Sequence, residues 1–282
     1  MNSRMNKKFL LLALLGMLSF SAMAQTGDDD NLYVVPSNRT PEPFSFSVTT
    51  LTPDDQSWSV DYSSSYGKNS EDLFGYDGVG QQFALKGYLG RQFTLYANAS
   101  LGFTGENDVV SSQQVEVLRD FIGGKKSTGL RLGLGLGLQR DFSSVNSILS
   151  RITASYEASR WNIGGNVLLG KPLVSYRDKI DIITSLGFQY RLMGSLYGGV
   201  EAVGEDLEGL WQADEAEGGA KVLVGPSINL VPNNSRFSFS VSGGPVMYAS
   251  RSNETNPAAI RELPSQTGLT VRAKIIFSLS GS

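Results

Sequence analysis

Two residue types are missing altogether: the 282 residues contain neither cysteine nor histidine. The first absence rules out disulfide staples and thiol chemistry. The second removes Ser-His and Cys-His nucleophile pairs and histidine-ligated metal sites. A Ser-Lys or carboxylate pair stays formally open, but no spacing singles one out, so no catalytic, cofactor-binding or metal-binding residue is assigned. A basic excess is also lacking: 24 Lys and Arg against 27 Asp and Glu give a net charge of −3, which sets nucleic acid aside as a partner. Proline is sparse at 10 residues. Beyond the first residues, no apolar run approaches the roughly 20 needed for a membrane-spanning helix.

What is present begins with a leader. Arg4, Lys7 and Lys8 precede the apolar stretch from Phe9 to Leu18, and Ser21-Ala-Met-Ala24 closes it before Gln25. A basic start, an apolar middle too short to span as a helix and an Ala-x-Ala ending make residues 1–24 a secretory signal peptide. Its removal takes the net charge from −3 to −6 by loss of those three basic residues. Residues 25–43, with Asp28-Asp-Asp30, Pro41 and Pro43, read as a flexible lead-in. An exported chain without cysteine must be held by backbone pairing and packing.

From about residue 44 onward the period is two. Leu130, Leu132, Leu134, Leu136 and Leu138 alternate with Arg131, Gly133, Gly135, Gly137 and Gln139, giving one face of leucine and one nearly bare. Strict alternation describes a strand; a phosphate-cradling glycine loop would have to turn into a helix. Similar alternation runs through 93–101, 151–158, 179–190 and 269–278, near the roughly 9–11 residues of a tilted membrane strand. Mean hydropathy of −0.12 suits such strands, whose two faces cancel. Connections alternate too. Those near Gly90-Arg91, Ser159-Arg160, 191–194 and 232–235 are tight, while those near 67–79, 104–111, 171–177, 204–217 and 249–266 are long. These features predict an all-β fold over 44–282: an antiparallel transmembrane β-barrel of about 12 strands, to within two, with short periplasmic turns and long extracellular loops. Two segments fit least well. Residues 44–51 would be a thirteenth strand or a short periplasmic piece, and 111–121 places Arg119 on the apolar parity.

Large aromatics mark one membrane face. Trp58, Phe93, Trp161 and Phe237 follow tight-turn ends, and Tyr156, Phe188, Tyr190 and Phe277 precede them, as a membrane-interface girdle requires. The opposite parity carries Arg131, Arg151, Glu157, Lys179, Asp181, Glu201, Lys221, Arg272 and Lys274, together with Asp61, Lys86 and Arg160. These are expected to face the lumen, either as a charged passage that sorts solutes or as pairs that fill a narrow interior. Glycines on the same parity, among them Gly133, Gly135, Gly137, Gly164, Gly187, Gly199 and Gly225, are expected to leave space and to favour a passage over a plug. The loop from Glu205 to Glu217 is acidic throughout and reads as a solvated loop, there being no fixed calcium-loop spacing.

Gly204-Glu-Asp-Leu-Glu-Gly209, Glu215-Ala-Glu-Gly-Gly219 and Val224-Gly-Pro226 resemble a recurring pattern in uncharacterised bacterial outer-membrane barrel proteins. The resemblance covers about twenty residues and implies location in the outer membrane of a Gram-negative bacterium, without a mechanism. Such barrels commonly end on an aromatic read by the barrel assembly machinery. Here that role falls to Phe277, with Ser278 to Ser282 beyond it. The expected partners are the lipid bilayer with its lipopolysaccharide, the assembly machinery and a small hydrophilic solute. The leading functional expectation is a passive, cofactor-free channel. A non-conducting adhesion or envelope barrel acting through its loops, and a secreted soluble β ligand-binding protein, are the alternatives.

Overall fold

The computed structural model describes residues 43–52, 58–68, 78–104, 109–123, 128–175, 177, 179–211, 219–232, 235–250 and 267–279; the leader and most of the lead-in lie outside them. Twelve strands follow in order: β1 Trp58–Lys68, β2 Gly78–Gly90, β3 Phe93–Thr104, β4 Val109–Ile122, β5 Gly129–Arg140, β6 Asn146–Glu157, β7 Trp161–Pro172, β8 Asp181–Met193, β9 Leu196–Glu205, β10 Lys221–Leu230, β11 Phe237–Tyr248 and β12 Gly268–Ser278. Each pairs antiparallel with its sequence neighbours, and β1 closes on β12 with Val60 opposite Phe277 and Lys68 opposite Leu269. Closure leaves no sheet edge, so every strand finds backbone partners on both sides.

Alternation sets which face is which. The leucines of β5 point outward, Leu136 being 69% exposed, while Gly133 and Gly135 on the same strand are buried. The strand β4 obeys the same rule despite its polar look. Glu116, Leu118 and Asp120 face in, and Arg119 faces out with its guanidinium over the Phe93 and Phe121 rings at 5.2 and 5.3 Å. That stacking gives a cation a place on an otherwise apolar surface.

Both chain directions return to one end by short links. Arg91 and Gln92 form a two-residue turn with φ of 51° and 68°, the doubly positive conformation that matches strand twist, and Tyr88 Oη accepts from the Gln92 N–H at 3.1 Å. The links between β1 and β2, β9 and β10, and β11 and β12 make the opposite end the long-loop end. Two connections there are short: β3 and β4 are only four residues apart, against the long link expected near 104–111, and residues 141–145 are closed by the Val145 N–H on the Asp141 carboxylate.

The expectation for residues 44–51 is overturned. They pair with no strand, and the wall begins only at Trp58. Residues 43–52 instead run inside the barrel as an arch. Pro43 meets Gln189 and Asn229 near the short-turn ends of β8 and β10. Ser47 and Val48 reach mid-lumen at Ser185 and Asn166, and Leu51 returns to Thr94 at the start of β3. Period-two alternation in the sequence did not distinguish a wall strand from a segment outside the sheet, bent at residues 44–46, that the wall encloses.

The plugged lumen as candidate functional site

The arch is held mainly through its backbone. Glu201 accepts the N–H groups of Ser45 and Phe46 at 2.9 and 3.2 Å. Asn166 accepts from the Val48 N–H at 2.6 Å and donates to the Val48 carbonyl at 2.8 Å. Lys274 donates to the Phe44 carbonyl at 2.8 Å, Arg272 to that of Ser45 at 3.2 Å, and Arg131 to that of Thr50 at 2.7 Å. The Leu51 N–H donates to Thr94 Oγ1 at 2.8 Å. Buried peptide groups need such partners, since leaving one unsatisfied costs about 1–3 kcal/mol.

Side chains add three apolar seats at alternate positions. Phe44, 1% exposed, fills a slot over Gly164 and Gly187, where an added methyl would lie 3.1 Å from its ring at Gly164 and closer still at Gly187. Phe46 packs with Val203, Leu223 and Val246, and the Arg272 guanidinium lies 4.6 Å over its ring. Val48 packs with Ala84, Tyr96 and Leu118. The inward glycines are thereby reinterpreted. Gly164 and Gly187 make room for Phe44, Gly133 for Thr50, and Gly135 and Gly137 for the neighbouring Leu118 and Glu116. Gly199 and Gly225 permit close approach of adjacent strand backbones. Three of the seven border the arch and the other four relieve contacts within the wall, so the expected bias toward an open passage does not hold.

Arg131 meets Asp120 at 2.7 Å, and Arg151 forks onto Glu116 at 2.6 and 2.9 Å while also reaching Asn166. Lys221 sits between Glu205 and Asp206 at 3.7 and 3.3 Å, and Arg177 lies between Asp141 and Asp181 at 3.2 and 3.6 Å. Glu201, Arg272 and Lys274 hold the arch directly. Asp61 and Lys86 are buried on the inner face, and Lys86 reaches Thr49 Oγ1 at 2.8 Å. Glu157 is half-buried at the short-turn end of β6. Two positions need correction: Lys179 precedes β8 and is exposed, and Arg160 is exposed in the β6–β7 turn. Neither lies on a strand, so strand parity does not orient them. Sequence reading missed Glu116, Asp120 and Asn166. The first two share the inward parity of β4, a signal obscured by Arg119 on its outer face.

Beyond the arch, a cavity of about 210 Å3 extends from Ser45–Val48 toward the long-loop end, past Gln82, Asn98, Gln114 and Gln139 to Asp141, Arg177 and Asp181. At that end the 3-10 turn Leu207–Leu210 packs on β8, and Glu208 Oε2 accepts the Ile182 N–H at 2.8 Å. Burial, joined by the nearby Asp206 and Asp181 carboxylates, pushes the Glu208 carboxyl up to about 8. Glu205, Asp206 and Glu208 of the acidic loop are buried rather than solvated. Asp214, Glu215 and Glu217 lie outside the described residues.

The girdle residues all sit at the short-turn end on the outer face. Tyr156 stacks on Trp161 at 5.2 Å, Trp161 approaches Phe188 at 6.3 Å, and Phe237 meets Phe277 at 4.8 Å. Trp58 lies over Gly87, Phe93 under Arg119, and Tyr190 is opposite Trp161.

No family model matches the sequence, and no curated protein matches it. Solved structures do match the fold. A KdgM porin in complex with disordered oligogalacturonate superposes with a TM-score of 0.51 at 12% identity, covering 79% of this chain and 99% of that one. A second structure of KdgM porin gives 0.50 at the same identity and coverage. At that identity the likeness shows the shared fold: a closed antiparallel barrel of the outer-membrane kind.

Proposed function

We propose that this chain, exported through its leader and cut after Ala24, is an outer-membrane channel for small hydrophilic solutes, closed by its own segment 43–52. The outward leucines would face lipid. The aromatic girdle would place the short turns on the periplasmic side, and the long loops would meet lipopolysaccharide. Folding and insertion would use the barrel assembly machinery, with Phe277 as its signal. The observation that carries the reading is the polar cavity that enters from the long-loop end and stops at Ser45–Val48. A barrel meant only as a scaffold gains nothing from a vestibule lined by polar side chains and ending on a separate, hydrogen-bonded segment. The sequence supports conduction over catalysis, because it offers no histidine or cysteine.

The arch itself favours one rival, a non-conducting envelope barrel that acts through its loops. Planar-bilayer recording of the refolded full-length protein and of Phe44→Asp/Phe46→Asp separates the two. The variant forces two carboxylates into apolar seats, a placement costly enough to unseat the segment, and it leaves every wall residue intact. A channel gives rare openings in the parent and sustained, salt-dependent steps in the variant. Silence in both, with the folded barrel verified by heat-dependent gel mobility, would establish the non-conducting reading.

A further inference from the structure

We infer that the lumen is a binding site for short linear peptides that bend back within it, and that segment 43–52, which enters and leaves at the short-turn end, is the resident example of what it takes. The inference deepens the channel reading by naming its solute class, and it rests on that reading only in requiring the segment to leave.

The wall recognises a polypeptide main chain. Asn166 donates to the carbonyl and accepts from the N–H of one residue, Val48, a two-point match to the peptide groups flanking a single Cα. Glu201 gathers two successive N–H groups, and Lys274 and Arg272 take two successive carbonyls. Arg131 and Thr94 repeat the pairing of donor and acceptor at Thr50 and Leu51. These groups come from strands all around the barrel, so the order of donors and acceptors is set by the closed wall and follows the segment's backbone. Apolar side chains are read at alternate positions, an aromatic at Phe44 over bare glycine backbone, an aromatic at Phe46 and a branched aliphatic at Val48, while the hydroxyls of Ser47, Thr49 and Thr50 meet Ser185, Lys86 and Asp120. Backbone contacts supply affinity and side-chain pockets supply preference, the same division of labour that peptides added to a sheet edge show. A saccharide has no repeating N–H and carbonyl sequence to satisfy this pattern, and unmatched buried polar groups discriminate strongly against a wrong ligand.

The test uses full-length Phe44→Asp/Phe46→Asp and a fluorescent decapeptide of sequence Pro-Phe-Ser-Phe-Ser-Val-Thr-Thr-Leu-Thr, read by anisotropy. Saturable binding is expected. Alanine at the position matching Ser45, whose hydroxyl only touches Ser240 at 3.5 Å, is expected to change affinity less than about threefold. N-methylation at the positions matching Phe46 and Val48 is expected to weaken it at least about tenfold, because both N–H donors are lost. No binding, equal binding of the N-methylated peptide, or displacement by a neutral disaccharide at equal concentration overturns the inference. Should that variant not fold, Phe44→Ala/Phe46→Ala/Ser185→Cys, which empties the two aromatic seats, is treated with the thiol oxidant diamide in the presence of a decapeptide carrying cysteine at the Ser47 position. A mixed disulfide is expected, and its absence overturns the inference equally. Peptide binding without bilayer current would sink the channel and leave the peptide site standing; current without peptide binding would do the reverse.

Discussion

Ser47 of the internal segment donates its hydroxyl to Ser185 of β8 at 2.9 Å, a direct link between the arch and the wall at mid-lumen. In a chain without cysteine, Ser47→Cys/Ser185→Cys offers one disulfide and no competitor. Closing the 2.9 Å gap to the roughly 2.05 Å of a sulfur bridge needs only a small shift. Added to the Phe44→Asp/Phe46→Asp background, the oxidised pair is expected to abolish bilayer current and reductant to restore it. Unchanged current in the oxidised protein, with the bridge verified by mass, would place the conducting path elsewhere.

Gly187 and Gly225 are both inward glycines, yet they protect different things. A methyl at Gly187 meets the Phe44 ring, which belongs to the arch, whereas one at Gly225 meets the Gly243 backbone oxygen of the neighbouring strand. Gly187→Val is therefore expected to leave a folded barrel with a displaced segment and increased conductance. Gly225→Val is expected to impair barrel formation itself, as overpacking against backbone that cannot yield costs about 1–3 kcal/mol or more. Gel mobility of unheated samples separates the two outcomes.

The contrast explains how much was legible beforehand. The leucines of Leu130–Leu138 and the tight turn at Gly90-Arg91 disclosed wall strands because their partners are sequence neighbours and period two maps directly onto inside and outside. Phe44, Phe46 and Val48 carry the same period. Their partners lie far along the chain, at Gly187, Val203 and Leu118, and one-dimensional periodicity holds no trace of that. The same limit applied to inward glycine, which looks like empty space until the occupant is known. Lys179 failed for a different reason: parity was extended two residues past the start of β8.

Glu116 and Arg151 form a forked pair inside the wall, both nearly inaccessible. Removing one partner strands a charge in a low-dielectric interior, whereas removing both leaves none. Glu116→Ala is expected to lower unfolding free energy by about 3 kcal/mol. Glu116→Met/Arg151→Met is expected to lose much less, despite carrying two substitutions. Guanidinium unfolding followed by tryptophan emission measures both. A double variant as unstable as the single one would mean that the Arg151 contact to Asn166, which also holds Val48, dominates.

Glu208 gives the long-loop end a dependence on pH whose sign follows from its environment. Its carboxyl is raised from the ordinary 4.5 to about 8 by burial and by the neighbouring Asp206 and Asp181, so the packed turn binds its proton more tightly than an opened one does. The stabilising contribution is complete below about 4.5 and is lost progressively as pH rises through about 8, because the buried carboxylate must then be charged beside two others. The Ile182 N–H reports on this directly, since it donates to Glu208 Oε2. Its hydrogen exchange, corrected for the intrinsic pH dependence of amide exchange, is expected to accelerate across that window. Glu208→Gln keeps an acceptor without a titrating proton, so its corrected exchange is expected to be flat. A flat profile in the parent would mean that the turn's packing on β8 does not depend on the Glu208 proton.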